Sequence, residues 1–151
     1  MKKLADGVAL LAVTAWVGGL WVIGYVAVPV LFQTLPDKML AGMLAGKMFT
    51  LIAWIGIASG CYLLLYQLST SGKAAVGQAA FRATFVMLLL AMVIQFGIQP
   101  VMSDLKAHVF PADIMHSAFA DRFRMLHGVS SILYLAQTLL GALLVLKVRP
   151  K

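Results

Sequence analysis

Four stretches of this chain carry no charged side chain, and each is long enough to cross a bilayer. Asp6 to Asp37 leaves 30 uncharged residues, Lys47 to Lys73 leaves 25, Arg82 to Asp104 leaves 21 and Arg124 to Lys147 leaves 22. Written as helices rising about 1.5 Å per residue, they run from roughly 31 to 45 Å, against a hydrocarbon core of about 30 Å. The spacing predicts spans near Val8–Phe32, Phe49–Leu68, Ala83–Met102 and Met125–Leu146. Composition points the same way. The chain is 62% hydrophobic and 11% charged, where a soluble domain carries about 45–50% apolar and about 25% charged residues. A cytosolic enzyme, a disordered tail and a secreted disulfide scaffold fall outside those bounds. Cys61 has no second cysteine to bridge and reads as inert packing inside an apolar span.

The charges sit at the edges of the apolar runs, as in a multi-pass membrane protein, so the +7 net charge does not point to a nucleic-acid partner. Lys2, Lys3, Lys73, Arg82, Lys147, Arg149 and Lys151 fall on one side of the expected topology; Lys38, Lys47, Lys106, Arg122 and Arg124 fall on the other. The positive-inside rule then places both termini in the cytoplasm. Lys2 and Lys3 followed by Ala12–Ala15 have the outline of a signal peptide. Asp6 and Gly7 interrupt its apolar core, however, and hydrophobicity runs on to Phe32, so the first span is expected to stay as an anchor.

The connections are short. Gln33–Pro36 turns the first span into the second, with Pro36 expected at a first helical position. Ser69–Gln78 reads as a flexible loop. Met115, Phe119, Phe123 and Leu126 recur at helical spacing with Asp113 as a plausible N-cap, so the third and fourth helices are expected to meet at a corner around Val109–Ala112. The result is an all-α integral membrane protein: a single domain over residues 1–151, folded as an up-down four-transmembrane-helix bundle. Helices 2, 3 and 4 extend beyond the membrane on the non-cytoplasmic side, forming a small helical head from 36–48 and 103–124. Gly42/Gly46 and Gly56/Gly60 each put two glycines on one helix face. Those faces serve either close packing within one protomer or a homo-oligomer seam. Trp16, Trp21 and Trp54 lie well inside the spans and are expected to fill the bundle.

No Asp, Glu, Lys or Arg lies near the middle of a span, so the usual marks of a proton pump are missing. The polar residues at depth are Gln95 and Gln99 on the third span and Ser130, Ser131, Tyr134, Gln137 and Thr138 on the fourth. His127, Ser131, Tyr134 and Thr138 follow the i, i+4, i+7, i+11 rule and share a face, and Gln95 and Gln137 fall at similar depth. They form either an interhelical hydrogen-bond ladder or a ligand-binding pocket lined by His127, Ser130, Ser131, Tyr134, Gln95 and Gln99 that opens toward the head. Asp104 with His108, and Asp113 with His116, have the i, i+4 and i, i+3 spacings of a divalent metal site. Met102, Met115 and Met125 lie nearby, and thioethers suit Cu(I). His127 is also a candidate axial haem ligand.

Trp16-Val17-Gly18-Gly19, Pro29-Val30-Leu31-Phe32 with Thr34-Leu35-Pro36, Phe49, Gln99-Pro100, and Phe123 with Leu126-His127-Gly128-Val129-Ser130-Ser131 together resemble the domain of unknown function 4149 family of membrane proteins. The chain is also similar to animal transmembrane protein 205. More loosely, through the Trp-Val-Gly-Gly stretch, it is similar to the copper-resistance protein D group and to haem-dependent protoporphyrinogen oxidases. The resemblance implies a four-span bundle in the bacterial inner membrane, without a settled activity. Three functions stay open. The chain is a non-enzymatic bundle that binds or helps move a small ligand or metal ion, a haem-binding oxidoreductase, or a structural or assembly subunit of a membrane complex. The sidedness is testable by replacing His108 with cysteine: an impermeant thiol reagent is expected to label residue 108 from outside the cell and to miss it from the cytosol.

Overall fold

The computed structural model describes residues 2–110 and 112–147. Pro111, Arg149 and Lys151, used above for the corner and the charge bias, lie outside the described residues. Four long helices account for nearly all of the rest: α1 (Lys2–Thr34), α2 (Lys38–Ser71), α3 (Ala79–Val109) and α4 (Ala120–Lys147). All four are long and apolar enough to span a bilayer. Each packs on its neighbours in sequence, and α4 closes the ring against α1, giving the up-down bundle. The protein is a multi-pass membrane protein.

Local chemistry sets the helix ends. Leu35 is extended (φ −83°, ψ 124°), as the residue before a proline tends to be. Pro36 therefore does not open the second helix; Asp37 does. Its Oδ1 accepts from the N–H groups of Met39 (2.8 Å) and Leu40 (3.1 Å). Lys38 reaches back to donate to the carbonyls of Phe32 (2.5 Å) and Leu35 (3.1 Å), capping α1 with the first side chain of α2. At the other end, α2 runs on to Ser71 and stops at Gly72, whose φ of +55° only glycine adopts freely. The segment expected to be a flexible loop is thus a helix end followed by a 3-10 turn, Gly72–Gly77, that buries Ala75. Asp113 caps a turn as well, accepting from Met115 N–H at 2.9 Å, but that turn is only the short 3-10 segment Ile114–His116. Ser117 is extended, and its Oγ accepts from Phe119 N–H at 3.2 Å. Because of this break, α4 starts at Ala120, and Met115 does not share a helical face with Phe123.

Two helices contain a turn of π-helix, Ile23–Ala27 in α1 and Val93–Ile98 in α3. Each is followed closely by a proline, Pro29 or Pro100. A proline lacks the N–H that would bond four residues back, and its ring crowds that carbonyl. The wider turn accommodates it, with Val28 N–H bonding Ile23 O and Gln99 N–H bonding Ile94 O, five residues apart in each case.

The bundle is packed in one half and open in the other. In the packed half, which holds the N-terminal part of α1 and the C-terminal part of α4, Trp16, Leu20, Met87 and Leu144 are fully buried. The Trp16 indole lies on the backbone of Gly56 and Gly60: a Cβ on Gly56 would come within 2.8 Å of its Cε2, and one on Gly60 within 3.1 Å of its Cη2. The Gly56/Gly60 face is therefore filled from within the protomer and does not offer an oligomer seam. The other two tryptophans point outward, with Trp21 48% and Trp54 51% exposed against 0% for Trp16. At 100° per residue, Trp21 lies about 140° round the helix from Trp16, so both cannot face the core. Cys61 is exposed on the outer surface as well, not packed in the interior.

Replacing Gly56 with alanine is expected to lower thermal stability in detergent. Overpacking against the indole costs about 1–3 kcal/mol, which outweighs the roughly 1 kcal/mol that alanine's helix propensity returns. Gly46→Ala, whose added Cβ would meet nothing within 4 Å, is expected to leave the Tm unchanged or raise it. Asp37→Ala is expected to cost about 1 kcal/mol by removing the α2 cap, read as a drop in Tm on the same melts.

Candidate functional site

The open half begins where the π turns begin. Below them the side chains interlock; above them a cavity of about 830 Å³ lies between all four helices. Its floor is Leu20, Ile52, Ala91 and Gln137, and its rim holds Lys38, Lys106, Phe110, Asp113 and Phe123. From Ala91 to Lys106 along α3 is about 22 Å at helical rise. The walls are largely hydrocarbon and aromatic, including Val28, Phe32, Met43, Phe49 and Met102.

Of the residues expected to bind a ligand, His127, Ser130, Ser131, Tyr134 and Gln99 line this cavity together. Gln95 does not. On α3 the lining residues are Ala91, Ile94, Gln99, Met102 and Lys106; the step from Ile94 to Gln99 is five residues because the π turn lies between them. Depth alone, which matched Gln95 with Gln137, does not fix the face a residue takes after such a turn. Gln95 Oε1 is buried without a hydrogen-bond partner.

Most of the other deep polar side chains donate within the protein. Tyr134 crosses to α1 and donates to the Leu20 carbonyl at 2.6 Å. Gly24 makes the room, since a Cβ there would lie 2.5 Å from Tyr134 Cε1. The Phe49 ring stands edge-on to Tyr134, centroids 5.2 Å apart. Gln137 Nε2 donates to the Met87 carbonyl at 2.9 Å, and Thr138 Oγ1 shares a 2.9 Å hydrogen bond with Tyr25 OH. Ser130 and Ser131 each donate to the His127 carbonyl at 2.8 Å. The interhelical bonds of Tyr134, Gln137 and Thr138 thus coexist with a cavity that Tyr134 and Gln137 also line.

The rim is different. Lys106 Nζ stands 5.2 Å from the centroid of the Phe123 ring, and the His127 ring stacks on Phe123 at 6.1 Å, with 9° between the planes. Among the described residues, no carboxylate lies within salt-bridge distance of Lys106, and neither Lys106 Nζ, the His127 ring nor the Gln99 amide makes a hydrogen bond. Lys106 lies on α3 beyond the expected crossing, and burial pushes its ammonium below the usual lysine range. The sequence reading left Lys106 and Tyr25 out of the pocket. Lys106 was findable, because it continues the Gln99, Met102 face at i+7.

The metal candidates stay apart from this cavity, except that Asp113 reaches its rim. Asp104 and His108 pair at 3.5 Å, and Asp113 and His116 pair at 3.4 Å, all on accessible surface. Among the described residues, no three His, Cys, Asp or Glu side chains gather. Gly42 and Gly46, the second small-residue face, line the cavity.

Comparison with known proteins places the chain at the level of family. No curated protein and no solved structure matches the chain. The family model described as domain of unknown function (DUF4149) matches residues 11–110, which run from α1 through α3 and hold three of the four cavity walls, and the chain belongs to that family.

Proposed function

We propose that this membrane protein binds a small ligand in the cavity between its helices and helps move it between the bilayer and the rim. The cavity carries this reading. Bundles of this size pack to near-crystalline density, and a void of about 830 Å³ falls within the range of small-molecule sites. It is lined by all four helices, apolar along its length and polar at one end. We place the rim on the non-cytoplasmic side of the inner membrane, with both termini in the cytoplasm, on the strength of the basic-residue bias. Metal binding is the weaker form of the proposal, since the Asp104–His108 and Asp113–His116 pairs each supply two ligands. The haem alternative rests on His127, the histidine that lines the cavity, and its readout is a Soret band in protein from haem-replete cells.

Native mass spectrometry of full-length protein, released from membranes in mild detergent, tests the main reading. The wild type is expected to retain a small-molecule adduct. Gly46→Leu puts a side chain into the cavity from a lining position where a Cβ meets nothing within 4 Å, and is expected to lose the adduct at undiminished Tm. His127→Ala is expected to reduce retention while leaving the fold intact. A wild type without any adduct, indistinguishable from Gly46→Leu when candidate ligands are added, would sink the proposal.

A further inference from the structure

We infer that the cavity's ligand is a single-chain amphiphile with an anionic head, its tail along the apolar walls and its carboxylate or phosphate at Lys106. The inference deepens the cavity reading and rests on it. The hydrogen-bond pattern orients the ligand. Tyr134 and Gln137, nearest the floor, and Ser130 and Ser131, about half-way up, each donate to a backbone carbonyl. Their donors are engaged, so a tail lies against them without stranding one. Among the described residues, Lys106 at the rim, the His127 ring below it and the Gln99 amide about half-way down make no hydrogen bond. Gln99 and Lys106 are seven residues apart and share a face of α3, while Lys106, Phe123 and His127 form a continuous stack.

Charge decides the head. Two lysines line the cavity, Lys38 and Lys106, against one carboxylate, Asp113. Lys38 is bonded to the Phe32 and Leu35 carbonyls. Asp113 is engaged by Met115 N–H and by His116. Among the described residues lining the cavity, Lys106 remains as the cation without a countercharge, half-buried beside apolar walls, where an anion offsets its desolvation. Length decides the tail. A run of about 22 Å from floor to rim exceeds the roughly 15 Å of a single leaflet's hydrocarbon, so a lipid-length chain fits with its head at Lys106. Free phosphate would leave most of the cavity empty.

The test is native mass spectrometry of the full-length protein with palmitate, hexadecyl phosphate, methyl palmitate and inorganic phosphate added separately. Palmitate and hexadecyl phosphate are expected to bind about tenfold tighter than methyl palmitate, or more, the difference a charge-assisted hydrogen bond makes. Inorganic phosphate is expected neither to bind nor to compete. Lys106→Gln is expected to bring the two anions down to the ester's level with the ester unchanged, and Lys106→Arg to keep most of the preference. Equal binding of acid and ester by the wild type overturns the anionic head while leaving the cavity reading standing. If Lys106→Gln binds the ester normally and still prefers the anions, the placing of the head at Lys106 is overturned, again with the cavity reading left standing. Inorganic phosphate binding as well as hexadecyl phosphate overturns the tail. Failure of every chain-bearing compound, with Gly46→Leu behaving like the wild type, is failure of the cavity reading itself.

Discussion

A backbone carbonyl in hydrocarbon has no water to bond, and everything distinctive in this bundle follows from how the chain meets that constraint at two prolines. Pro29 and Pro100 each remove a donor from the helical ladder. The π turns just before them let the backbone bond through Val28 and Gln99 instead. Helices α1 and α3 stand across the ring from one another, so the two widened turns face at the same level. Below that level Trp16, Leu20, Met87 and Leu144 close the interior. Above it the helices leave a cavity.

Packing in the lower half is local and unforgiving. Trp16 occupies a seat that exists because residues 56 and 60 have no side chain. Where lipid surrounds the helices, burial supplies little drive for association, and close approach over small residues takes its place. The same logic explains Gly24, which lets Tyr134 cross from α4 to the Leu20 carbonyl. Two roles stand out among the helical glycines: those at 24, 56 and 60 seat an aromatic ring, and those at 42 and 46 face the cavity. Helical spacing gives the same signature to both, and only the neighbouring helix tells them apart.

The charged side chains of the upper half gather at the rim. Side chains toward the floor bond to backbone carbonyls of their own or adjacent helices, while Lys106 at the rim has an aromatic ring for a neighbour and no carboxylate. That gradient gives the cavity a direction, which a uniformly apolar void would lack.

How much of this was legible depends on the range of the interaction. The four helices, their order and the His127–Tyr134 face follow from charge-free length and 3.6-residue periodicity, which are properties of the chain itself. Gln95 was misplaced because a π turn shifts the phase of every residue after it, and nothing in a periodic reading marks the shift except the proline beyond. Trp21 and Trp54 were misassigned to the interior because in a membrane an apolar side chain is stable on either face. Hydrophobicity alone therefore cannot say which way a ring points. The sequence by itself determined that the chain crosses a membrane four times and where its polar face lies. Only the tertiary structure decided which glycines hold a ring, which polar groups are already spent, and that the bundle is open at one end, because each depends on what the facing helix brings to the same level.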